Sequence, residues 1–181
     1  MSVNQEHDNT KGVIINFTGD GRGKSSAAFG LAVRHAGYGK KAAVIQFIKS
    51  RIDCGEFNFI KNLNSPLLSI ICCGCGFTFE NSESANRRAA QTGWQSAGEI
   101  LQNGDVTLLI LDELNHILNL QLLPFEEVLT QLQNRRPDLN VVITGRNAPN
   151  ELLNICDSIS LIQDVKHYYH SGVAAIAGVD Y

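Results

Sequence analysis

A chain of 181 residues can bury one sizeable core. Its content of 44% hydrophobic and 18% charged residues excludes a disordered chain. A net charge of -3, the lack of any apolar run long enough for a bilayer, and a polar opening (MSVNQEHDNTK) without a signal-peptide core point away from nucleic acid, membrane and export, so the expected location is the cytoplasm.

Residues 1–11 are expected as a flexible tail and residues 12–181 as a single domain, since no linker, repeat or low-complexity stretch divides them. The first predicted strand is VIINF (13–17), followed by a Gly-rich turn and a helix over 25–35. Strands AAVIQF (42–47) and LLSII (67–71) come next, then a helix over 85–102 whose small and apolar residues, Ala89, Ala90, Gly93, Trp94, Ala97 and Leu101, form a stripe. VTLLILD (106–112) is a further strand. Pro124 opens a helix through residue 133, with acids in its first turn. NVVIT (140–144), a helix over 150–154 and SISLI (158–162) complete the order. The strand segments are almost continuously apolar rather than alternating, as in strands covered on both faces. Strands alternating with helices imply a doubly wound, mostly parallel α/β domain.

The cysteines are Cys54, Cys72, Cys73, Cys75 and Cys156. An odd number argues against a closed disulfide set. Cys72 and Cys75 have the spacing of a metal or redox pair, but no second pair or Cys/His cluster follows, and the favoured reading is a turning loop of small residues.

TGDGRGKS, from Thr18 to Ser25, lies between a predicted strand and a predicted helix. That is the context of a Walker A phosphate loop, whose backbone N–H groups cradle phosphates. Gly19, Gly21 and Gly23 let the backbone approach a ligand, Lys24 supplies charge, Ser25 is the metal hydroxyl, and Ser26 assists. Thr18 stands where the standard pattern has Gly, which the loop tolerates if its φ is negative. The alternative is a Gly-rich turn with an incidental lysine. Asp112 and Glu113 end an apolar run in the Walker B manner, at the carboxyl edge of the sheet. One of them is expected to bind Mg²⁺ (or Mn²⁺), directly or through water, or to orient a water. Arg146 follows the fifth strand at the same edge, where a polyphosphate would lie; a surface ion pair is its alternative.

From Gly12 to Tyr181 the chain resembles the ATP:corrinoid adenosyltransferases of cobalamin salvage and synthesis. The resemblance is carried, in family order, by FTGDGRGKSSAAFGLAVRHAGYGKKAAVIQFIK, GFTFE, LLILDELNHILNLQLLPFEEVL, VVITGR and VKHYYHSGVAAIAGVDY. It implies a P-loop NTPase (RecA-like) architecture and a loop that starts with Thr. It also implies attack by Co(I) of a corrinoid on the 5′ carbon of ATP, with triphosphate leaving and ATP lying in reverse along the loop. Lys24, Glu113 and Asp112 would then be the catalytic residues, with Ser25 and an acid on the metal. ATP would contact the loop from Thr18 through Asp20 and Arg22 to Ser26, together with Arg34 and Arg146; a solvated helix residue is the alternative for Arg34.

Phe77 and Phe79 of GFTFE would wedge under the corrin and displace the lower axial ligand of cobalt, and His167 of the Lys166-His167 pair would face ligand. Without the resemblance the two Phe residues read as core. His35, His116 and His170 read as ordinary helix or loop residues. The resemblance further implies a homodimer and transient contact with an electron-donating flavoprotein reductase.

Three departures from the family pattern stand out. Phe79 replaces a Trp, Asp20 replaces an Asn with Arg22 as its expected partner, and only about eleven polar residues stand where the family has a covering helix. A generic P-loop ATPase or kinase would release phosphate or ADP instead, and a non-catalytic member would bind ligand without forming a cobalt–carbon bond.

Overall fold

The computed structural model describes residues 11–48, 54–74 and 82–180. In chain order the elements are β1 (Ile14–Thr18), α1 (Lys24–Gly37), β2 (Lys41–Gln46), α2 (Gly55–Leu63), β3 (Leu68–Cys72), α3 (Glu83–Gln102), β4 (Val106–Asp112), α4 (Leu114–Asn119), α5 (Phe125–Gln133), β5 (Asn140–Thr144), α6 (Asn150–Asn154) and β6 (Ser158–Leu161), followed by a 3-10 turn at Tyr168–Ser171. The strands form one sheet in the order β3-β2-β4-β5-β1-β6, with every pairing parallel.

The continuous apolar runs of the central strands have a direct cause. Successive side chains point to opposite faces, and both faces are covered. Leu109 and Leu111 of β4 join Ala43 and Ile45 of β2 in a core completed by Trp94 of α3 and Val128 of α5. Leu108 and Ile110 join Ala42 and Val44 in a second core completed by Ala28, Phe29 and Ala32 of α1 and Ile60 of α2. Each buried Leu or Ile contributes about 1.5–3 kcal/mol.

The edge strands depart from this expectation. β3 alternates buried and exposed residues because it is covered on one side only, and β6 has no buried residue, with Ile159 and Leu161 exposed. Helices α2 and α4 are additional to the expected order of elements. The N-cap residue of α2, Cys54, makes no side-chain cap bond. α4 has six residues, too few to display a helical period.

Parallel pairing puts every strand's carboxyl end at one edge of the sheet. Thr18, Gln46, Asp112 and Thr144 therefore share that edge, with β5 standing between β1 and β4.

Candidate active site

Thr18 ends β1 in extended backbone, and its Oγ1 accepts from the backbone N–H of Ala148 at 3.1 Å. The threonine thus ties the start of the glycine-rich loop to the segment after β5. Gly19 has φ +100, and a Cβ there would lie 2.3 Å from the Ile162 carbonyl oxygen; a Cβ on Gly21 would lie 2.5 Å from the Gln163 carbonyl. These glycines permit a close approach between the loop and the chain leaving β6. Lys24, only 7% exposed, folds over the loop, and its Nζ donates to the carbonyls of Gly19 at 2.7 Å and Gly21 at 2.6 Å. Burial holds its pKa below the usual lysine value, against the opposing pull of Glu113. Ser25 is half-buried and Ser26 exposed at the start of α1, and both face the same cavity.

The two acids part company. Asp112 is fully buried, and its carboxylate is held from both sides. Thr144 Oγ1 donates to Oδ1 at 2.7 Å, and Gln46 Nε2 donates to Oδ2 at 3.1 Å. Behind Gln46, the thiols of Cys54 and Cys72 donate to its Oε1 at 3.1 and 3.0 Å, fixing the amide orientation. The hydrogen bond with Cys72 is the main cause that brings the Cys54 thiol down to about 7. Glu113 adopts a left-handed conformation (φ 67), its N–H donates to Thr144 Oγ1 at 2.9 Å, and it lines the cavity. The sharp turn after β4 is what sends one acid inward and the next outward.

Arg146 reaches the cavity from a turn held by α4. Asn115 Nδ2 donates to the Gly145 carbonyl at 2.9 Å, and Asn119 Nδ2 donates to the carbonyls of Arg146 at 3.2 Å and Asn147 at 2.7 Å. His116 lines the same wall, its pKa held low by burial and then by Arg146. The far wall comes from the C-terminal segment and includes His167, whose Nδ1 accepts from the Tyr169 N–H at 3.1 Å. The cavity measures about 1030 Å³ and combines a basic and acidic end with an apolar side formed by Phe29, Val33, Phe59 and Ile60.

Asp20, Gly21, Arg22, Gly23, Lys24, Ser25, Ser26, Glu113, Arg146 and His167 are thus brought together around one cavity. Arg34 is exposed on α1 and does not line it. Phe77 and Phe79 lie outside the described residues, as does Cys75. One expectation is corrected. Arg22 pairs with Asp180 at 3.3 Å, not with Asp20, because the C-terminal segment lies over the loop. Sequence reasoning also missed Gln46 and Thr144, whose signal is a polar residue ending an apolar strand.

The family profile described as ATP:corrinoid adenosyltransferase BtuR/CobO/CobP matches residues 10–181. The chain is 37% identical over 171 residues to the corrinoid adenosyltransferase of Escherichia coli (strain K12), covering 94% of this chain and 86% of that protein. It is 37% identical over 172 residues to the corrinoid adenosyltransferase CobA of Salmonella typhimurium (strain LT2), with the same two coverages of 94% and 86%. The corrinoid adenosyltransferase of a Sinorhizobium species is 35% identical over 94% of this chain and 81% of its own length. Among solved structures, a KaiC-like protein of Pyrococcus horikoshii OT3 superposes with a TM-score of 0.52 over 84% of this chain and 73% of that one, at 13% identity, a likeness of fold alone.

Proposed function

The chain belongs to the ATP:corrinoid adenosyltransferase family, and from that premise we propose how its residues divide the work. The enzyme transfers the 5′-deoxyadenosyl group of ATP to Co(I) of a corrinoid, releasing triphosphate and forming adenosylcobalamin. Co(I) supplies the attacking electron pair, so no protein base is needed. What the protein must supply is a grip on the leaving polyanion and alignment of carbon with cobalt.

The observation that carries the reading is the meeting of the glycine loop, Lys24, Arg146 and Glu113 around one cavity. In this reading the loop N–H groups with Lys24 and Arg146 hold the triphosphate. Lys24 exchanges its two loop carbonyls for phosphate oxygens. Among the described residues no group of three or more His, Cys, Asp or Glu side chains forms a metal site. The oxygen donors Ser25 and Glu113 suit Mg²⁺ or Mn²⁺ bound jointly with phosphates, and Asp112 supports Glu113 from behind. Such a cation would add neutralising charge on the leaving group.

Phe77 and Phe79 are assigned to the underside of the corrin, and His167 to its edge. Residues 12–181 act as one domain, working as a cytoplasmic homodimer supplied with electrons by a flavoprotein reductase. No helix among the described residues is long and apolar enough to cross a membrane.

The test is a dark incubation of protein, MgATP and chemically reduced cobalamin. A light-sensitive alkylcobalt spectrum with stoichiometric triphosphate is expected. Orthophosphate or ADP without the alkylcobalt product would overturn the reading in favour of an ordinary ATPase or kinase.

A further inference from the structure

Residues 162–180 run from the end of β6 across the phosphate loop, and little apolar burial holds them there. The 3-10 turn at Tyr168–Ser171 buries none of its residues, and Val165, Tyr169, Val173 and Ile176 are all exposed. Two other sets of contacts fix the segment. At its start, the Ile162 N–H donates to the Thr18 carbonyl at 2.8 Å and the Gly21 N–H donates to the Ile162 carbonyl at 2.9 Å. At its end stands Arg22. Its guanidinium donates to the Val179 carbonyl at 2.5 Å and to the Tyr168 hydroxyl at 3.1 Å, and lies 5.7 Å from the centre of the Tyr168 ring.

Asp180 closes the arrangement. It pairs with Arg22 at 3.3 Å and accepts from the Tyr168 hydroxyl and, at 2.8 Å, from the Ile176 N–H. One carboxylate thus joins the phosphate loop, the 3-10 turn and the last turn of the chain.

We propose that Asp180 is a positioning residue for the nucleotide site: through Arg22 and Tyr168 it seats the C-terminal segment on the phosphate loop, so that loop and segment form one cavity wall. The inference rests on the loop being the polyphosphate cradle. Asp164, His167, Tyr169 and His170 line the cavity only because the segment is docked. The same contacts hold Arg22 against the segment at the cavity wall, which Lys24 and Arg146 also line. Such a network is coupled, and its members act as a unit.

The experiment uses the full chain carrying Asp180→Asn, Asp180→Ala, Arg22→Ala, Arg22→Ala with Asp180→Ala, and Lys24→Ala. MgATP affinity is read by calorimetry, KM and kcat by product formation, and segment docking by the rate of tryptic cleavage after Lys166. Asp180→Ala is expected to weaken MgATP binding about tenfold, raise KM more than it lowers kcat, and speed cleavage after Lys166. Asp180→Asn, which preserves volume, is expected to move all three readouts the same way by less. The double variant is expected to be no worse than the weaker single one.

Wild-type affinity and cleavage in both Asp180 variants would overturn the clamp. So would strictly additive losses in the double variant. If Lys24→Ala abolishes binding while both Asp180 variants bind normally, the clamp alone fails. If Lys24→Ala binds MgATP normally, the cradle assignment fails and the clamp with it.

Discussion

Thr144 donates its hydroxyl hydrogen to Asp112 at 2.7 Å and with the same oxygen accepts the backbone N–H of Glu113 at 2.9 Å. One side chain at the end of β5 thereby fixes the inner acid and the backbone of the outer one. Thr144→Val keeps the shape and removes both bonds, and the loss of the hydroxyl donor to the buried Asp112 carboxylate costs about 1–3 kcal/mol. The expected result is a lower Tm and reduced kcat, with Thr144→Ser retaining most of both. Thermal melts and product assays of the two variants check it; a Val variant matching wild type would contradict the role.

The acid pair can be separated by isosteric change. Glu113 lines the cavity, whereas Asp112 is buried with both oxygens bonded. Glu113→Gln is therefore expected to lower kcat by about a hundredfold or more with little change in Tm. Asp112→Asn replaces one acceptor oxygen with a donor facing Gln46 or Thr144, and is expected to lower stability as well. A stability loss confined to Glu113→Gln would reverse the assignment.

The Asp180–Tyr168 contact has a pH window. The Tyr168 hydroxyl is the main cause that holds the Asp180 carboxyl below its ordinary range, and Asp180 in turn pushes Tyr168 above the usual tyrosine value. A depressed carboxylate contributes stability above its unfolded pKa and loses it as pH falls through the lower folded value. A raised phenol contributes below its unfolded pKa and loses that contribution as pH rises through the higher folded value. The contact is thus expected to hold across neutral pH and to open below the ordinary carboxylate range or above the ordinary tyrosine range. Absorbance titration of wild type against Tyr168→Phe isolates this one phenol. Asp180→Asn should bring its midpoint back down, and an unmoved midpoint would rule the contact out.

Phe77 and Phe79 are assigned by resemblance, and they should matter most where cobalt must first be reduced. Phe77→Ala and Phe79→Ala are expected to slow turnover from Co(II) far more than turnover from chemically prepared Co(I). Equal losses in both assays would mean that the two residues serve packing or binding.

The chain by itself determined whatever is written in contiguous residues. The continuous apolar runs of β2, β4 and β5 declare strands buried on both faces, and the elements between them make the sheet parallel. The spacing of Gly19, Gly21, Gly23, Lys24 and Ser25 is the pattern on which a phosphate cradle is proposed, and the pair Asp112-Glu113 after an apolar strand is the pattern on which its acidic partner is proposed. These patterns are legible because their physics is local: side-chain alternation, backbone freedom and a charge at the end of a strand.

The tertiary structure decided which groups meet across the sheet edge. Gln46 and Asp112 are 66 positions apart, and Thr144 and Asp112 are 32 apart. Their contacts exist only because β4 lies between β2 and β5, in a register set by both packed faces. Likewise Arg22 finds Asp180, not its near neighbour Asp20, because β6 pairs with β1 and delivers the C-terminal segment onto the loop. Strand order and register are products of the whole fold, so no local reading of charge could have chosen between those two carboxylates.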